Sequence, residues 1–220
     1  MSGLWPGLGD DGADLAALGL LRIATGAPPP HEPLARGWEQ RAAEFVRAWS
    51  AGRWGGEADG VQPAAVGVAV ALARWQAVLV LELHDGDVQT ARAWLGERAS
   101  AAGERAREVG SSRPVVPVVM ALVWFGIDAL ASGASGAVPV CVLDPERAVR
   151  VVERCEAFLR REEDHAALVV AAAEATVAVL TERVGRGRVR AWLDEQAELL
   201  LDEVRAGAAP WWVPGTPGGG

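Results

Sequence analysis

The sequence predicts an all-α fold: about eight helices, as two similar four-helix halves packed into one bundle-like or helical-array domain. Three observations predict it. Apolar residues recur three or four positions apart through most of the chain, which is the repeat of a helix face and not of a strand. Clusters of Gly and Pro interrupt these stretches at helix-length intervals. The pattern R-A-W-L-x-E-x-A occurs at residues 92–99 and again at 190–197, an offset of 98, each time behind a very apolar segment and a glycine turn. A matching motif in a matching context reads as an internal repeat.

Each element follows from local chemistry. Residues 1–12 form a Gly/Pro/Asp-rich lead. The first helix is expected over 13–25 and is stopped by Gly26 and the prolines at 28–30. The second, over 33–50, places Leu34, Trp38, Ala42, Phe45 and Trp49 on one stripe. A Gly-rich loop precedes the third helix, the apolar stretch 63–83. Asp85-Gly86-Asp87 reads as a turn with a capping Asp. The fourth helix, 88–109, has Val88, Ala91, Trp94, Leu95, Ala99 and Ala102 on one face.

Pro114 opens the second half. Its helices are expected over 115–131, 144–161 (capped by Asp144 with Pro145 in the first turn), 164–182 and 188–206. The β-branched run at 138–142 reads as extended loop. The division is 1–112, 113–206 and a Gly/Pro/Trp tail at 207–220. Helix types alternate apolar, amphipathic, apolar, amphipathic in both halves, so the four apolar helices belong inside. The hairpin at 75–95 has Trp75, Gly86, Ala91 and Leu95 at tetratricopeptide-like spacings. Leu79 and Glu82 depart from that pattern, and the hairpin reads as a generic one.

Composition excludes several chemistries. All 21 basic residues are Arg, and the chain has no Lys, Asn or Tyr. That bias predicts a high-GC bacterial genome. Without Lys there is no Schiff-base or P-loop lysine. A formal net charge of −8 is the wrong sign for a free-standing DNA binder. Two Cys, Cys141 and Cys155, support no disulfide framework and match no zinc spacing. The N-terminus has no charged-then-apolar leader, which predicts a cytoplasmic protein. The apolar stretches 64–83 and 114–130 carry Arg74, Gln76, Glu82 and Asp128, and read as core helices, not membrane spans.

Three motif-like fragments have ordinary readings. Residues 7–12 fit G-x-G-x-x-G, but no strand can precede them and Asp10 and Asp11 repel a pyrophosphate. Glu162 and His165 have the spacing of a di-iron ligand pair, but no second copy exists, so no metal is expected. His84 beside Asp85 has no nucleophile placed near it and reads as a helix-end His. No catalytic set and no cofactor are expected.

Three groups of residues remain as candidate sites. Arg22, Arg74, Asp128 and Glu174 are charges within apolar helices and must pair, bind something or reach water. The repeat predicts that Arg22 or Arg74 approaches Asp128 or Glu174, in a structural ion pair or in a central polar pocket flanked by Trp75 and Trp124. Arg183, Arg186, Arg188 and Arg190 cluster at a helix start and suit an anion, although the following helix is acidic and opposes nucleic acid. Trp211 and Trp212 in the tail suit docking, on the chain's own core or on a partner. The leading expectation is a non-enzymatic helical interaction or scaffold protein that uses exposed Trp, with a protein partner or self-association. Small-molecule binding in a central pocket is the alternative, and anion binding at the Arg cluster the third.

Overall fold

A computed structural model describes residues 11–28, 30–53, 64–108, 115–131 and 162–206. The described residues form α1 (Asp11–Thr25), α2 (Trp38–Arg53), α3 (Ala64–Leu83), α4 (Val88–Glu108), α5 (Val115–Ala131), α6 (Glu162–Val184) and α7 (Val189–Ala206). A short 3-10 turn, Arg186–Arg188, leads into α7. Among the described residues there is no strand. The helix expected over 144–161, the run at 138–142 and the tail at 207–220 lie outside the described residues.

The centre of the molecule is α3, which packs against α1, α2, α4, α5 and α6. Its composition explains this position. Ala65, Ala69, Ala73 and Ala77 recur every fourth residue and are all buried, which gives α3 a smooth stripe that neighbouring helices can approach closely. Gly126 of α5 uses that stripe. A Cβ added there would lie 3.0 Å from Ala77 Cβ and 3.7 Å from the Ala73 carbonyl oxygen. On the α6 side, Thr176 Oγ1 lies 2.7 Å from the Ala172 carbonyl oxygen of its own helix and 3.3 Å from that of Leu72. A polar side chain is thus satisfied where α3 and α6 meet.

Large side chains fill the space between the stripes. Leu18, Leu20 and Leu21 of α1, Leu72 and Leu79 of α3, Leu122 and Ile127 of α5, and Leu168 and Leu180 of α6 are fully buried. Each contributes about 1.5–3 kcal/mol through removal from water. The apolar helices therefore do form the interior. By length and composition α3 is apolar enough to cross a membrane, and 56% of its apolar window is buried inside the fold. Around this interior sit α2, α4 and α7, which present Trp38, Ala42 and Val46, Ala91 and Leu95, and Val189 and Leu193 inward.

Boundaries moved where a turn outweighed periodicity. The second helix starts at Trp38 and not at 33. Gly37 has φ 64°, and the Ala35 amide donates to the Ala24 carbonyl oxygen at 2.6 Å, which ties the intervening loop back to the end of α1. The Asp85–Asp87 turn forms as expected. Asp85 and Gly86 both have positive φ, 51° and 80°. Asp87 caps α4 by accepting from the Gln89 amide at 2.9 Å and the Thr90 hydroxyl at 2.7 Å. The Thr90 hydroxyl, helped by the Thr90 and Gln89 amides, holds the Asp87 carboxyl below its ordinary pKa.

Candidate functional site

The charges of the apolar helices find partners other than those expected. Arg22 pairs with Asp194 of α7, and both side chains are about half exposed. It leaves the interior because it lies in the last turn of α1, at the surface. Arg74 pairs with Asp14 of α1, whose other carboxylate oxygen accepts from Trp75 Nε1 at 3.0 Å. Asp128 is fully buried and accepts from Arg92 of α4, through Nε at 2.9 Å and through Nη2. Glu174 is half-buried beside Trp38 and Glu39 of α2. Burial raises its pKa, the Glu39 charge adds to that, and a hydrogen bond from Trp38 works against both.

Of the six residues expected around a central pocket, Arg74 and Trp75 meet on Asp14 and the others lie in separate contacts. Trp75 stacks edge-on against Trp192, with ring centroids 5.6 Å apart. Trp124 is half-buried, and its indole Nε1 has no hydrogen-bond partner among the described residues. The five tryptophans whose side chains are described, Trp38, Trp75, Trp94, Trp124 and Trp192, are buried or half-buried, so none of them is an exposed anchor. Trp211 and Trp212 lie outside the described residues.

Sequence reading missed Asp14, Arg92 and Asp194 as partners. For Asp14 a signal existed: it is seven residues before Leu21 and three and four before Ala17 and Leu18, on the apolar stripe of α1. Arg92 follows buried Ala91, at the edge of the α4 stripe, and gave a weaker signal. A further polar group lies at the α3–α4 turn. The His84 ring is edge-on to Trp94, with centroids 5.8 Å apart, and Arg98 lies over the Trp94 ring at 3.9 Å while donating to Glu182 at 2.6 Å. His165 is buried in the first turn of α6. Among the described residues no three His, Cys, Asp or Glu side chains come together to hold a metal.

The expected arginine cluster behaves differently from its neighbours. Gly185, with φ 79°, turns the chain between α6 and the 3-10 turn. Arg183 approaches Glu82 of α3 at 3.6 Å, and Arg188 and Arg190 are exposed. Arg186 crosses to the loop after α1 and donates to the Pro30 carbonyl oxygen at 2.8 Å. That loop forms one wall of an open hollow of about 550 Å³, lined by Arg22, Ile23, Gly26, Ala27, Pro28, Pro30, Ala35, Arg36 and Arg41. Arg41 Nη1 donates to the Arg36 carbonyl oxygen at 2.9 Å. Arg41 and Arg186 are thus held by neutral carbonyls. Among the described residues no carboxylate forms an ion pair with Arg36, Arg41 or Arg186.

The hollow therefore gathers positive charge on a chain whose net charge is −8. Arg41 is oriented but not neutralised, whereas Asp194 meets Arg22. Comparison of the chain with protein-family models, with curated proteins and with solved structures found no match in any of the three.

Proposed function

We propose that this chain is a non-catalytic binding protein whose helices form a fixed frame for an anion-receiving hollow at the end of α1. The observation that carries the reading is the pair Arg36 and Arg41 on one concavity whose wall Arg186 braces, none of the three being ion-paired with a carboxylate among the described residues. Guanidinium is the side chain best suited to forked recognition of carboxylate or phosphate oxygens. The other inward charges support a structural role for the frame, since Arg74 with Asp14 and Arg92 with Asp128 pair across helices. Nucleic acid is a poor occupant, because exposed Glu195 and Glu198 on α7 follow directly on the arginine turn.

Thermal unfolding with added sodium pyrophosphate at constant ionic strength tests the reading. A saturable rise in Tm is expected, as for any ligand that binds only the folded state. The rise should vanish in Arg36→Ala/Arg41→Ala. No rise in the native chain, or an equal rise in the variant, contradicts it.

A second reading rests on Leu199, which is 54% exposed beside half-buried Leu200 and Leu201 on α7. An exposed leucine on α7 favours a protein contact through that helix. Light scattering should then give a mass above that of one chain, and Leu199→Ser should return it to one chain. We also propose that the chain is duplicated, α1, α3 and α4 corresponding to α5, α6 and α7. In support, α1 packs on α3 as α5 packs on α6, and α4 on α5 as α7 packs on α1.

A further inference from the structure

We infer that the occupant of the hollow is a small organic anion with an apolar body, an aryl or alkyl carboxylate or phosphate monoester, and not a bare inorganic ion. The inference rests on the anion-receiving reading above and narrows it. Its basis is the division of the lining. Ile23, Ala27, Pro28, Pro30 and Ala35 give an apolar wall, while Arg22, Arg36 and Arg41 supply the polar part and Arg186 braces the wall from outside through Pro30. A hollow of about 550 Å³ is within the range that holds a small organic ligand. An inorganic phosphate is far smaller and would leave the apolar wall in water.

The hollow is also built in advance of any ligand. Pro28 and Pro30 have fixed φ, and the Ala35 amide ties the loop to the Ala24 carbonyl oxygen. The Arg41 side chain is held by the Arg36 carbonyl oxygen. An occupant therefore loses little affinity to ordering the loop. Carboxylate and phosphate ester share the chemistry that the guanidiniums read, so both belong in the test.

Calorimetric titration of the full chain with phenyl phosphate, phenylacetate, inorganic phosphate and benzyl alcohol tests the inference. At least one of the two organic anions should bind ten-fold or more tightly than inorganic phosphate, with benzyl alcohol weaker than either. The tighter of the two identifies the oxyanion. Ala27→Trp, which fills the hollow from an exposed position, should weaken the organic anions and spare inorganic phosphate. If inorganic phosphate binds as well as both organic anions, the inference fails and the anion-receiving reading stands. If no anion binds, both fail. If benzyl alcohol binds as tightly as phenyl phosphate, the arginines read nothing and both fail. Circular dichroism of each variant establishes that it is folded before titration.

Discussion

At the residue scale, the informative side chains are the charges that the fold draws inward. Glu174 is the clearest for pH. Its raised pKa means that the folded state favours the protonated carboxyl. Its contribution to stability is complete below the ordinary glutamate pKa and is lost as pH rises through the folded value. Glu174→Gln keeps an acceptor for Trp38 and cannot ionise. Its Tm should match that of the native chain near pH 4 and exceed it increasingly towards neutrality, and a difference that stays constant from pH 4 to 8 would refute this. The Arg92–Asp128 pair gives a second test. Arg92→Ala removes a guanidinium partner from the buried Asp128 carboxylate and should cost about 3–5 kcal/mol in urea unfolding, whereas Arg92→Met with Asp128→Leu should recover most of it. The sequence made it clear which charges in apolar helices needed partners, since Arg74, Asp128 and Glu174 stood out against their neighbours. Their partners were not legible, because Asp14 and Arg92 sit on other helices and only the rotation of each helix about its axis brings them to the pair.

At the scale of elements, the small residues of α3 decide how closely helices approach. Gly126→Val adds side chain where even a Cβ would lie 3.0 Å from Ala77. It should destabilise by about 1–3 kcal/mol, measured by urea unfolding. Pairing it with Ala77→Gly should return part of the loss, and equal stability of the single variant and the native chain would mean that α3 and α5 do not meet at Gly126. Phe45 fills a similar position against α1, its Cζ 3.0 Å from where a Cβ on Gly19 would stand. Helix interiors were legible because a period of three or four survives in any environment. Helix starts were less so. The chain before Trp38 carries good helix formers, Leu34, Ala35 and Arg36, yet Gly37 and the tie from Ala35 to Ala24 hold it as turn. That tie joins residues made adjacent only by folding.

At the scale of the molecule, the apolar helices lie inside and the arginine-lined hollow lies at one end of α1. The hollow is lined by residues between Arg22 and Arg41, and one distant residue braces its wall. Arg186 was legible as a member of a cluster, but its reach to Pro30 spans 156 positions. Arg36 and Arg41 lie in an amphipathic stretch where nothing in the sequence singles them out. Only the loop between α1 and α2 sets them around one concavity with Arg22. A central polar pocket ranks ahead of an anion site in the sequence, though behind plain ion pairs, because polar residues in apolar helices are visible there, whereas a concavity at a helix end leaves no periodic trace.

The most direct measurement is an NMR titration of arginine Nε–Hε signals with pyrophosphate at constant ionic strength. A chain whose 21 basic residues are all Arg makes this a complete survey of its positive side chains. Saturable shifts at Arg36 and Arg41, with Arg98 and Arg190 unmoved, are the predicted result. Shifts spread evenly over exposed arginines, or largest at Arg188 and Arg190, would contradict a built anion site at the end of α1.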